Sequence, residues 1–166
     1  MRSLTPAEVS DVLETVKDDR LAALYAVTIG AGLRPGEALG LQWSDVEFSE
    51  DRSGVLRIAH QLDQHSLELV PVTTATGRRS VELPPFATRA LSRHKSLQIE
   101  ESRAAADWDT SLFVFVTEHG RPLRRRNVER AWERVRVAAG IVDPVKFHHL
   151  RHTYASLLAS QGVPQR

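Results

Sequence analysis

The 166-residue sequence contains no cysteine. Disulfides, thiolate metal centres and a cysteine nucleophile are therefore excluded, and the composition suits a reducing compartment. No apolar run approaches the roughly 18 residues that a membrane-spanning helix needs. The first residues, Met1-Arg2-Ser3-Leu4-Thr5-Pro6, lack the apolar core of a secretory leader. A cytoplasmic location with no membrane partner is the expectation. Lysine is scarce, with three residues (Lys17, Lys95, Lys146) against 19 arginines. Tyrosine occurs only as Tyr25 and Tyr154. Repeats, low-complexity tracts and internal linkers are also missing, so residues 1–166 read as one domain.

Apolar residues make up 42% of the chain, enough to bury a core. The net charge of +1 conceals a division. Residues 1–51 carry four Lys/Arg and ten Asp/Glu, whereas residues 52–166 carry 18 and 11. The basic half is almost all arginine, whose planar fork binds oxyanions in pairs. Codon bias in a GC-rich genome produces the same excess, so only the placement of the arginines is informative.

Thr5-Pro6-Ala7-Glu8 is a capping box with proline at the first helical position, and predicts a helix to about Asp18. A second apolar helix is expected from Arg20 to Ala31, stopped by Gly30 and Gly32, and a short one from Pro35 to Leu41. Arg34 then sits at a helix entrance, where the dipole favours anions. Residues 55–58, 67–70 and 80–83 read as three short strands. Pro84-Pro85 opens a helix through about Arg103, and residues 112–116 form a short apolar segment. A helix from Asn127 to Ala139 ends at Gly140, and the last runs from His148 to Gly162, with Pro164 beyond it. The fold class is α+β: mostly helical, with a small three-stranded antiparallel sheet.

Two runs carry chemistry. One is Gly32-Leu33-Arg34-Pro35-Gly36-Glu37-Ala38-Leu39; the other is His148-His149-Leu150-Arg151-His152-Thr153-Tyr154. Phosphoryl transfer needs positive donors around the non-bridging oxygens as charge develops. Arg34 and Arg151 are such donors. His148, three residues before Arg151, shares its helical face, and a histidine there can donate to a phosphate oxygen or shuttle a proton. His152 lies one turn further on. A third basic stretch, Arg121 to Arg136, holds seven arginines, among them Arg124, Arg125 and Arg126, against Glu129 and Glu133. A solvated helix face explains it alone; beside the two runs, phosphate contact explains it better.

Residues 31–46 and 147–153 together resemble the first and second boxes of the tyrosine recombinase (phage integrase) family. Asn127-Val128-Glu129-Arg130-Ala131-Trp132 and Gly140 also match its spacing. The resemblance implies that Arg34 and Arg151 hold the scissile phosphate, that His148 assists proton transfer with support from His152, and that Glu37 orients Arg34 by a salt bridge. It implies an integrase-like catalytic domain acting on a double-stranded DNA attachment site with other recombinase subunits. Cleavage would proceed through a 3′-phosphotyrosyl link, with no metal or other cofactor. A carboxylate is more usual at the His149 position. The family's general-acid lysine position holds Thr73, with Arg78 and Arg79 nearby as expected DNA-backbone contacts. Tyr25 and Tyr154 both fit poorly as the nucleophile. The third box and the nucleophile's helix belong beyond residue 166, and the helical core-binding domain before residue 1, so the chain reads as the catalytic domain, C-terminally incomplete.

Three readings follow. The first is a site-specific DNA recombination domain that clamps the scissile phosphate with Arg34, Arg151 and His148. The second is an inactive integrase remnant that binds DNA or partner subunits. The third is a metal hydrolase using His148 and His152 at i, i+4 spacing. His149 stands where that motif needs its glutamate, and no third ligand is evident.

Overall fold

A computed structural model describes residues 2–109 and 112–160. Helix α1 (Pro6–Thr15) starts as the sequence predicts. The Thr5 hydroxyl accepts the Glu8 N–H at 3.2 Å, and the Glu8 carboxylate accepts the Thr5 N–H at 2.8 Å. Helix α2 (Ala22–Ala31) is buried at every residue from Ala23 to Ala31. A helix apolar on all sides can only be central, and α4, α6, α3, α1 and the sheet all pack on it. Helix α3 (Pro35–Leu39) has five residues and is shorter than expected.

The strands are β1 (Val46–Phe48), β2 (Gly54–Ile58), β3 (His60–Leu62), β4 (Leu69–Pro71) and β5 (Arg79–Leu83). The antiparallel three-stranded sheet has the order β1-β2-β5, with Val46 opposite Leu56 and Leu56 opposite Val81. Its membership differs from expectation. Residues 69–71 pair with β3 in a separate two-stranded ribbon, and β1 supplies the third strand. At three residues β1 is too short to display alternation, and only Ala59 separates β2 from β3, so the two read as a single run.

Helix α4 (Pro85–Ala104) crosses α2, and a Cβ on Gly30 would lie 2.9 Å from Pro84 Cγ. Residues 112–116 run beside the loop after α3: Val114 N–H donates to Leu41 O at 2.8 Å. Helix α5 (Arg125–Ala138) buries Val128, Trp132 and Val135 on one face. Trp132 and Phe147 flank Tyr25, with ring centroids 5.8 and 6.3 Å away, and Trp132 Nε1 donates to Val145 O at 2.6 Å. That aromatic cluster fixes the segment leading into helix α6 (Leu150–Ser160). The expected end of this helix at Gly162 and Pro164 lies outside the described residues. Among the described residues no helix is long and apolar enough to cross a membrane.

Candidate functional site

Arg34 is the residue before the first turn of α3, and its exposed guanidinium (53%) projects from a buried base. A helix of five residues supplies little dipole, so positive charge here must come from side chains. Glu37, three residues on, is fully buried. One of its oxygens accepts the Arg34 backbone N–H at 2.9 Å, which pins the chain where Arg34 leaves the core.

The carboxylate's main partner is not the Arg34 side chain, which stands 3.8 Å away. It is Arg79, at the start of β5, which donates from both terminal nitrogens at 3.0 and 2.9 Å. Arg79 also donates to Gly77 O at 2.8 Å. The expected Glu37–Arg34 ion pair is therefore secondary. Arg79, grouped by sequence with Arg78 as a DNA contact, has its guanidinium on a buried carboxylate. Burial pushes the Glu37 carboxyl up, but the Arg79 bonds, the Arg34 N–H and both positive charges outweigh it and hold it below the usual carboxylate range.

Arg151 projects from the first turn of α6 into the same neighbourhood. Burial lowers its proton affinity first, then the charge of Arg34; Glu37 opposes them and Arg79 adds to them. Arg34 and Arg79 thus flank one carboxylate, and Arg151 lies within electrostatic reach of it, an excess of two positive charges. Arg34 and Arg151 carry the exposed part of that excess.

His148 lies in a 3₁₀ turn (Phe147–His149) that precedes α6, rather than in the helix itself. Its Nδ1 is buried without a hydrogen-bond partner, and its ring stands edge-on to His149 at 4.2 Å. His149 Nδ1 accepts the Lys146 N–H at 3.1 Å, taking the part a carboxylate plays in a capping box. His152 is exposed, 6.4 Å from His149, on the outer side of the histidine group. Among the described residues no cluster of three or more His, Asp or Glu could hold a metal.

Thr73 and Arg78 are exposed in the loop from β4 to β5. Arg124 and Arg126 are exposed at the start of α5, and Arg126, Arg130 and Arg134 recur every four residues to form one outward ridge. Arg125 is tied back: its side chain pairs with Glu129 at 3.1 Å, and its N–H donates to Gln64 Oε1 at 2.6 Å. Arg136, counted with the basic stretch in sequence, is buried at the far end of α5. There it donates to Glu133 and to the carbonyls of residues 141–143, so it ties the loop after Gly140 back onto the end of α5. A groove of about 950 Å³ between the α1–α2 turn and α4 is lined by none of these site arginines. In the cluster itself Arg34 is exposed, and Arg79 and Arg151 are half-buried.

A model of the phage integrase family matches residues 2–166. The chain belongs to the phage integrase family. It is 32% identical over 99% of its length to a tyrosine recombinase XerC-like protein of Caldanaerobacter subterraneus, of which it covers 45%. It is 31% identical over 98% of its length to an integrase of Streptomyces ambofaciens, of which it covers 43%. The chain thus spans less than half the length of these relatives. The fold matches that of XerA recombinase at a TM-score of 0.77, with 23% identity over 99% of this chain and 53% of that one. The Tn1549 transposon integrase, solved with transposon right-end DNA, gives 0.75 with 22% identity over 97% and 54%. The lambda integrase catalytic core gives 0.61 with 20% identity over 97% and 85%.

Sequence reasoning missed Arg79 as the partner of Glu37, 42 residues away. One local signal pointed there: Glu37 stands among Ala38, Leu39 and Leu41, and a carboxylate in an apolar run requires a cation once buried.

Proposed function

We propose that this integrase-family domain binds double-stranded DNA and clamps one phosphodiester between Arg34 and Arg151, with His148 as the proton-transfer group, for site-specific recombination. The observation that carries the reading is the buried Glu37 carboxylate held by Arg79, with the Arg34 guanidinium 3.8 Å away and Arg151 within electrostatic reach from a separate element. Arg34 and Arg151 would neutralise the non-bridging oxygens as a trigonal bipyramid forms. His148 would donate to one of them from the turn before Arg151. Arg78, Arg124, Arg126 and Arg130 would follow the flanking backbone, each neutralising a phosphate. DNA bound in the structure of the Tn1549 integrase supports the same partner class here. An attachment site, other recombinase subunits and a cytoplasmic setting complete the proposal, with no metal or cofactor.

One observation favours a binding-only variant of this reading. Neither tyrosine is free to attack: Tyr25 is wholly buried, and burial pushes its phenol up well beyond the usual range, while Tyr154 packs against Gly32. Thr73, in the general-acid position, cannot cycle a proton near neutrality. Incubation with a duplex carrying an attachment site distinguishes the two. DNA binding that weakens at least about tenfold in Arg34→Ala or Arg151→Ala, without covalent adducts, supports clamping without cleavage. Covalent protein–DNA adducts from these 166 residues would sink the binding-only variant, and unchanged binding in both variants would sink the clamp.

A further inference from the structure

We infer that Tyr154 is a positioning residue: its ring, seated on the bare backbone of Gly32, sets the separation of Arg34 from Arg151. This rests on the phosphate clamp proposed above.

Gly32 ends α2 in the left-handed conformation, with φ of 65°. Conformation alone would account for a glycine, but space makes a second demand. A Cβ on Gly32 would lie 2.4 Å from Tyr154 Cδ1, 2.9 Å from Cγ and 3.2 Å from Cβ. All three atoms belong to the inner part of one side chain, and real carbon contacts need about 3.5 Å or more. The ring therefore rests where any other residue's side chain would begin.

The positions of these two residues along the chain give the contact its consequence. Gly32 stands two residues before Arg34; Tyr154 stands one helical turn after Arg151. Between Gly32 and Arg34 the chain is rigid: Leu33 is wholly buried and the Arg34 N–H is held by Glu37. Between Tyr154 and Arg151 there is one turn of α6. The Gly32–Tyr154 contact is thus the point, within the packing of α6 on α2, that lies directly between the two arginines' anchors. In the same turn of α6, Leu4 N–H donates to the buried Thr153 hydroxyl at 3.0 Å, and the Ser3 and Ser156 hydroxyls meet at 2.9 Å. Those bonds hold the rotation of α6, and the Tyr154 ring holds its distance from α2. Among the described residues the Tyr154 hydroxyl has no hydrogen-bond partner, so the aromatic ring carries the function.

The test is inorganic phosphate binding to the full chain, read from the Arg side-chain Nε–H resonances of Arg34 and Arg151 in NMR. Helix content and thermal midpoint are followed in every variant. Tyr154→Phe keeps the spacer and should bind phosphate within about twofold of wild type. Tyr154→Ala should weaken binding about tenfold or more, because an ångström of misplacement is enough to uncouple a two-point clamp. Gly32→Ala should do the same by pushing the ring outward. Tyr154→Ala in the Gly32→Ala background should then cost little more, because the clash is gone. Equal affinity in Tyr154→Ala and Tyr154→Phe, or strictly additive losses in the double variant, would overturn the inference. Should Gly32→Ala fail to fold, the Tyr154 pair decides alone. Arg34→Ala and Arg151→Ala serve as controls: if neither changes phosphate affinity, the clamp itself is refuted, a result distinct from failure of the spacer.

Discussion

Replacing Glu37 by Gln is the sharpest test of the site's internal architecture. The substitution keeps the volume and one acceptor oxygen but removes the carboxylate that faces Arg79 and the Arg34 N–H. Breaking a fully buried pair by removing one partner costs about 3–5 kcal/mol, because the other charge stays desolvated. Two features reduce that here. The Arg79 side chain is 26% exposed, and it keeps its bond to Gly77 O. A loss of about 2–3 kcal/mol in unfolding free energy is therefore expected at pH 7. Urea denaturation of Glu37→Gln, Arg79→Met and the double variant measures it as a cycle, with a coupling of about 1–2 kcal/mol expected. The pH dependence provides a second arm. The folded-state carboxyl titrates below its ordinary value of 4.5. Its stabilisation is therefore complete above that value and disappears as pH falls through the lower folded-state value. Wild type should lose this increment in acid, and Glu37→Gln should not. A Glu37→Gln protein within about 0.5 kcal/mol of wild type, with the same acid limb, would refute the reasoning.

Other outcomes follow from single contacts. Burial, followed by the charges of His148, His152 and Lys146, lowers the proton affinity of His149 below the ordinary 6.5. Stability from this neutral acceptor is present above about pH 6.5 and lost as pH falls below it. The urea midpoint of wild type should therefore drop more between about pH 7 and pH 5 than that of His149→Gln; equal drops would contradict the cap. At Gly40 a Cβ would meet backbone atoms of β3, with Leu62 N at 2.7 Å and Gln61 C at 2.9 Å. Gly40→Ala should cost about 1–3 kcal/mol in a thermal melt, and an unchanged midpoint would show that the ribbon is free to move. Arg126→Ala and Arg130→Ala should each reduce the slope of log affinity against log salt by about 0.9 for duplex DNA; unchanged slopes would remove that ridge from the interface.

Much of this was legible in the sequence, for local reasons. Thr5 and Glu8 announce α1 because a capping box is complete within four residues. Helix α2 is legible because an all-apolar run must be buried. The two boxes are legible because their residues lie within single short segments. What the sequence did not disclose is non-local. Glu37 chooses Arg79 over its neighbour Arg34 because the β-sheet delivers Arg79 beneath α3, and that requires the β2–β5 register. Arg136 reads as one more arginine on a basic face until Gly140 turns the chain back and presents carbonyls to it. Tyr154 reads as a misplaced nucleophile until α6 is laid on Gly32. In each case tertiary packing assigns a partner that spacing along the chain cannot name.

Whether Arg34 and Arg151 grip the same phosphate is tested by a structure of the chain bound to an attachment-site duplex. One DNA phosphate is expected with its non-bridging oxygens about 3 Å from both guanidiniums, and His148 within reach of the same group. Arg34 and Arg151 on different phosphates, or a duplex seated away from the Glu37–Arg79 pair, would contradict it.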